Sequence, residues 1–329
     1  GAFVSLGAIA GPGIGGLILS NFSWSYIFWI NVPVGLVTIL IGEKFLPKDI
    51  TKTKEKIDFS GFACIAIAIM TFFGGIFLGQ ESGFGSLQSY LLFIIAVIAL
   101  GLFIMVERKR KSPLIKFAIF KNKIFTLSLL SAVLIFASNF FVNVVIPFYL
   151  QDARKLSASY AGLLMMVFPL LMVVGAPLSG YLTDKIGPGI LTFGGLLLLC
   201  CTSLMYMFLD MNSPIWYYVI ATAIMGLGNA LFQSPNNTMV MSSVEKQDLG
   251  VAGSMNSFAR NLGMVIGIAL STTILYRGMS EAYGERVTTY LANRPDIFIV
   301  GMRETFFVAF LLCVAAFILT ILRFRKTTK

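Results

Sequence analysis

The chain has 329 residues, of which 57% are hydrophobic and 12% charged, with a formal net charge of +10. Water-soluble domains carry about 25% charged residues, so composition excludes a soluble fold, and the same apolar excess excludes disorder. There is no histidine, which removes His-based triads, His-bound zinc and imidazole proton relays. The four cysteines (Cys64, Cys200, Cys201 and Cys313) sit inside apolar runs without metal-ligand spacing, and read as small buried hydrophobes.

A helix needs about 20 apolar residues to cross a bilayer core, and no alternating barrel pattern is present. The sequence predicts an all-α polytopic membrane protein with ten spans, at 1–19, 25–46, 59–79, 87–106, 124–149, 158–182, 189–209, 214–234, 250–276 and 302–322. The chain opens at Gly1 inside the first span, with no Met, and is expected to be a piece of a longer protein. That span repeats small residues every four positions at Gly7, Gly11 and Gly15, with Gly16 adjacent and Pro12 between. Such a face lets another helix approach closely, and Pro12 removes one backbone hydrogen bond and loosens the helix. Static packing and a sliding interface both fit this spacing.

After the second span comes a polar, lysine-rich connection, Pro47–Asp58, and after the fourth a longer basic one, Glu107–Lys123. These bracket spans three and four as an inserted pair and divide the chain into 1–46, 47–123 and a six-span unit at 124–329. The connection 277–301 is the only other long one and reads as a solvated cap.

Alternate connections collect 18 Lys and Arg on one side of the membrane and 6 on the other, with Arg260 inside a span. The richer side is expected to be cytoplasmic, with both chain ends on it. The positive charge is therefore an orientation signal with anionic lipid as a natural contact, and nucleic acid is not an expected partner.

Polar residues inside spans are costly and informative. Asn139 and Asn143 are four apart and share a helix face, as are Asn229 and Gln233. Lining a cavity and bonding between helices are equally good readings of these pairs. Arg260 could pair structurally or couple to substrate or proton. Glu81, Asp152, Asp210 and Glu304 all lie near span ends, so no mid-span carboxylate offers itself for proton coupling. Phe136, Phe140 and Phe141 lie beside the first asparagine pair and suit bulky hydrophobic or cationic ligands. No nucleophile–base set or metal cluster occurs in any span, so an enzyme is not expected.

The first span, Gly7-Ala-Ile-Ala-Gly11-Pro12-Gly13-Ile-Gly15-Gly16, resembles the antiporter signature of the major facilitator superfamily, in the fifth helix of its 14-helix drug/proton antiporters. Trp24, Tyr26, Phe28, Asn31, Pro33 and Gly35 are similar to the family's tryptophan-rich turn and Asn-x-Pro-x-Gly sequence after that helix, with Ser25 where a basic residue is common. Asp58-Phe-Ser-Gly61 resembles the start of the seventh helix, and Pro147, Tyr149, Gln151, Ala161, Gly162, Pro169 and Pro177 the ninth and tenth. Gly180-Tyr-Leu-Thr-Asp184-Lys185-Ile-Gly187 resembles the second-half copy of the family's cytoplasmic loop signature, with Lys185 in place of the usual Arg. Gly226, Gly228, Phe232, Pro235 and Asn236 fit the twelfth helix, and Gly250, Ala252, Asn256, Arg260, Gly263 and Gly267 the thirteenth.

The resemblance implies a fragment covering helices five to fourteen of a major facilitator fold, in a bacterial cytoplasmic membrane. It implies a secondary transporter that exports amphipathic drugs or toxic compounds by alternating access, with protons as co-substrate, the proton gradient as energy source and no cofactor. Gly180, Asp184, Lys185 and Gly187 would form a gate loop, though a plain turn would look the same, and the proton-binding acid would lie upstream of Gly1. Two alternatives remain: a dedicated exporter of a metabolite, lipid or peptide-like compound, and a transport-inactive truncated membrane protein or interaction partner.

Overall fold

Inside a bilayer each backbone N–H and C=O needs a partner within its own segment, which leaves helices as the solution for isolated apolar runs. The computed structural model describes residues 7, 11, 14–19, 22–45, 58–82, 86–110, 117–291 and 294–327. Among them there is no strand, and nine helical segments are long and apolar enough to cross a membrane. The first predicted span is described only at Gly7, Gly11 and Ile14–Leu19, all helical, and Pro12 lies outside the described residues.

In chain order the helices are α1 (Tyr26–Trp29), α2 (Asn31–Phe45), α3 (Phe59–Ser82), α4 (Leu87–Lys109), α5 (Lys123–Pro147), α6 (Ala158–Met165), α7 (Val167–Ile186), α8 (Pro188–Met207), α9 (Ile215–Ser242), α10 (Leu249–Tyr283) and α11 (Pro295–Thr327). Local chemistry sets several ends. The Asn122 side chain caps α5 by accepting from the Ile124 amide at 2.9 Å, and Ser157 caps α6 by accepting from Tyr160 at 3.3 Å, each satisfying an orphan donor of the first turn. Gly187 has φ +87° and its N–H reaches the Thr183 carbonyl, after which Pro188 starts α8. That left-handed backbone suits glycine. Gly284, at φ +86°, ends α10 in the same manner.

The boundaries depart from the sequence reading in three places. The sixth predicted span is two helices, α6 and α7, separated at Met166. The connection 277–301 is shorter than expected, because α10 continues to Tyr283 and α11 begins at Pro295. Beyond Pro147 the helix widens into a π turn over Phe148–Ala153, with the Arg154 N–H bonded to the Tyr149 carbonyl at 2.9 Å.

The six-span unit is the packed part of the molecule. Helix α5 lies along α10 and α11, α9 lies along α7 and α8, and α8 lies along α11. A continuous core runs through it, with Ile135, Phe141, Tyr149, Leu196, Tyr206, Phe232, Phe298 and Phe306 all 0–1% exposed. Lipid tails are as apolar as leucine, so close packing, not escape from water, holds such helices together. The α5–α10 seam shows how: a Cβ on Gly263 would stand 2.5 Å from the Val133 carbonyl oxygen, and one on Gly267 would stand 2.9 Å from the Cα of Ala137. Helices α3 and α4 pack on each other and touch α10 only at the margin. Their outer faces, including Phe59, Phe62, Leu87 and Val97, are exposed.

Candidate functional site

Gly7 and Gly11 are exposed and Gly15 is half-buried, and a Cβ on any of them would meet nothing within 4 Å. Gly16 differs: its Cβ position lies 3.7 Å from the Ala158 carbonyl oxygen and 3.8 Å from the Cα of Ser159, at the first turn of α6. The glycine-rich span thus reaches the six-span unit next to the α5–α6 connection. In that connection Lys155 adopts φ +56°, Arg154 donates to the Ser213 carbonyl at 2.6 Å and to Tyr149 Oη at 3.1 Å, and Tyr149 Oη donates to the Asp210 carbonyl at 2.7 Å. The Asp210 carboxylate accepts from the Asn212 amide and the Ser213 hydroxyl, and these bonds hold it below the usual carboxylate range.

Of the predicted gate loop, Gly180 is half-buried and Gly187 makes the turn between α7 and α8. Asp184 is exposed and does not cap α8. Lys185 places its ammonium over the Tyr181 ring, 4.6 Å from the centroid.

The asparagine pairs separate. Asn139 Nδ2 donates to Asn229 Oδ1 at 2.5 Å and Asn229 Nδ2 returns a bond to Asn139 Oδ1 at 3.1 Å, with both side chains buried. This reciprocal amide pair ties α5 to α9 inside the unit. Asn143 is exposed and bonds back to the Asn139 carbonyl at 3.2 Å. It borders a small depression with Met165, Phe168, Tyr218, Thr222 and Met225. Phe141 is buried at 0% exposure, so it belongs to the core and not to a cavity wall.

Asn237 and Asn256, unconnected in the sequence, come together. Helices α9 and α10 run antiparallel, and their register is fixed by Met241 against Gly253, where a Cβ would lie 3.3 Å from Met241 Cε. One turn further in, Asn256 Nδ2 donates to Asn237 Oδ1 at 2.8 Å. Arg260 is one helical turn beyond Asn256 on α10, and Gln233 is one turn before Asn237 on α9. Arg260 is exposed and makes no hydrogen bond or ion pair with another described residue. It lies 11 residues into α10, about 16 Å from the helix start at 1.5 Å per residue. The result is a polar stretch in which the bonded Asn237 and Asn256 side chains have an exposed guanidinium one turn along α10. Asn237 was legible as the i+4 neighbour of Gln233 and Asn256 as the i−4 neighbour of Arg260, but only the register between helices joins them.

Two further polar clusters were not anticipated. Arg323, one residue beyond the last predicted span, is 1% exposed, donating from Nη1 to Ser128 Oγ at 2.8 Å and to Asn236 Oδ1 at 3.1 Å. Asn236 also donates to the Ser128 carbonyl at 3.2 Å. The chain remains helical to Thr327, which carries Arg323 back into the basic end of the bundle. At the start of α3, Asp58 accepts from the Gly61 amide at 3.0 Å and the Ser60 hydroxyl at 2.6 Å, and pairs with Arg110 at 3.2 Å. The Gly61 amide first, then Ser60 and Arg110, hold the Asp58 carboxyl below its ordinary value. Glu107 is 2% exposed beside it, its Oε1 only 2.5 Å from where a Cβ on Gly61 would stand. No group of three or more metal-ligating side chains occurs among the described residues.

The sequence matches the profile of the Major Facilitator Superfamily over residues 1–268 and again over 129–329. It is 31% identical over 330 residues to the riboflavin transporter RibZ of Clostridioides difficile, covering all of this chain and 70% of that protein. It is 28% identical over 298 residues to the multidrug transporter protein MdtP of Bacillus subtilis, covering 90% of this chain and 55% of the relative. With the lincomycin resistance protein LmrB of Listeria monocytogenes it shares 27% over 313 residues, 92% of this chain and 66% of the relative. The chain therefore spans 55–70% of the length of these relatives. An all-helical bundle of membrane spans together with a profile match across its whole length establishes that this chain belongs to the Major Facilitator Superfamily.

Proposed function

We propose that the protein is a secondary active transporter that exports amphipathic small molecules across a bacterial cytoplasmic membrane by alternating access, with the proton gradient as driving force. The observation that carries the reading is the polar stretch between α9 and α10, where Asn237 bonds Asn256 and Arg260 stands exposed one turn further along a helix long and apolar enough to cross a membrane, in a chain of this family. A charged residue within a span costs about 2.5–3.5 kcal/mol, and a substrate or ion path is the usual reason for keeping one. In this reading two lobes rock about a central site, with 124–329 as the carboxy-terminal lobe, 1–46 as the end of the other, and 47–123 as an inserted pair. In this reading the lysine-rich end is cytoplasmic, and Gly180–Gly187 serves as a gate loop there. The glycine face Gly7–Gly16, with Pro12, is the surface that moves against α6.

The test is efflux of a fluorescent neutral amphipath such as Nile red from cells expressing the full-length protein, with and without a protonophore. Efflux that stops when the proton gradient collapses is expected. Efflux that persists refutes the coupling, and no efflux of any amphipath in a panel refutes the transport reading. Similarity to RibZ favours a second reading, in which one planar heteroaromatic metabolite is the dedicated substrate. Competition separates the two, since a dedicated exporter is inhibited by one compound class only.

A further inference from the structure

We infer that the polar stretch between α9 and α10 is an anion-accepting site, in which Arg260 receives a carboxylate, phosphate or sulfonate carried by an amphipathic substrate while the neighbouring amides of Asn256 and Asn237 orient it. This rests on the transport reading and names the substrate class of the same path. Four observations support it. First, the guanidinium is exposed within a membrane span, where an uncompensated charge is unfavourable. Second, the residues that share its face are uncharged hydrogen-bonding amides, and Asn256 and Asn237 are held in place by their mutual 2.8 Å bond. Third, neither α9 nor α10 has an Asp or Glu within 215–242 or 249–280, and Asp184, Asp296 and Glu304 lie near the ends of α7 and α11. Glu281, at the far end of α10, is bonded to Arg277 at 2.8 Å. The lobe therefore supplies no carboxylate of its own at the level of Arg260. Fourth, guanidinium matches planar and tetrahedral oxyanions through paired N–H donors, and a low-dielectric setting strengthens that contact. The aromatic content of the chain suggested hydrophobic or cationic ligands, but the charge on this face is itself positive and repels a cation.

The same chemistry could be satisfied by a phospholipid headgroup reaching in from the bilayer surface, so the test has to separate the two sources. The full-length protein, in nanodiscs of phosphatidylcholine alone, is titrated with 1-anilinonaphthalene-8-sulfonate and with N-phenyl-1-naphthylamine, which has the same aromatic body without the sulfonate. In Arg260→Gln the affinity for the sulfonate is expected to fall about tenfold, the size of one good charge-assisted contact. Affinity for the neutral amine should stay within about twofold in this zwitterionic host, which also shows that the variant is folded. Arg260→Lys should keep part of the sulfonate affinity, because the charge remains but the fork is lost. Adding phosphatidylglycerol should leave sulfonate binding unchanged. Equal loss of both probes, or no loss of either, overturns the inference. Displacement of the sulfonate by phosphatidylglycerol, absent in Arg260→Gln, overturns it in favour of lipid. None of these readouts requires transport, so a failure of the export reading is distinguishable from a failure of the anion site.

Discussion

Gly267→Ala adds one methyl group to the seam between α5 and α10, where the structure leaves no space. The new carbon would stand 2.9 Å from both the Cα of Ala137 and the Cβ of Phe140, and closer still to the Ala137 carbonyl oxygen. Carbon atoms in contact prefer about 3.5–4.0 Å, so the two helices have to part by roughly 0.5–1 Å. Two of the three neighbouring atoms are backbone and cannot swing aside. Overpacking costs about 1–3 kcal/mol, and immovable neighbours place this case at about 2–3. For a unit of about 200 residues, each kcal/mol is worth about 2–4 °C, so melting should fall by about 4–12 °C. The assay is fluorescence-detected size exclusion after heating in mild detergent. Gly194→Ala is the control, because a Cβ there meets nothing within 4 Å, and replacing a helical glycine in open space should be neutral or stabilise by up to about 1 kcal/mol. If Gly267→Ala melts within a degree of Gly194→Ala, close approach at this seam is not what holds α5 to α10.

The same geometry sets three other outcomes. Asn139→Leu and Asn229→Leu should each cost about 1–3 kcal/mol by stranding a buried amide, while the double variant should cost less than their sum. Additivity in that thermal double-mutant cycle would deny the pairing. Arg323→Met should lower melting by the equivalent of about 1–3 kcal/mol, since Ser128 and Asn236 lose a common donor. A solvated tail residue would leave melting unchanged. Asp58 has a lowered folded-state pKa, so its stabilising effect is complete above its ordinary value of 3.8 and fades only as pH falls through the lower folded value. The melting difference between the protein and Asp58→Ala should thus be flat from pH 8 to about 5, then narrow in strong acid. A difference that vanishes near neutrality would refute the cap.

Several features were legible because they depend only on the chain's local chemistry. Apolar runs of about 20 residues leave the backbone no partner but itself, so the spans, the helical class and the break at Gly187-Pro188 come from composition and spacing. Asn143, exposed, could have been a core residue as easily as Asn139, because helix periodicity says which residues share a face but not what that face meets. The rotation of α5 against α9 decides it, burying Asn139 on Asn229 and leaving Asn143 outside. Arg323 misled for a related reason: its charge and place near the chain end suggest solvent, yet continuation of α11 carries it onto Ser128 and Asn236. The groove at Arg260 needed both sources. Sequence alone determined that one guanidinium lies within a span of a lobe whose helices lack a mid-span carboxylate. Tertiary structure alone determined that Asn237 of α9 meets Asn256, one turn from Arg260, because the register between two antiparallel helices is set by side-chain contacts distant in the chain.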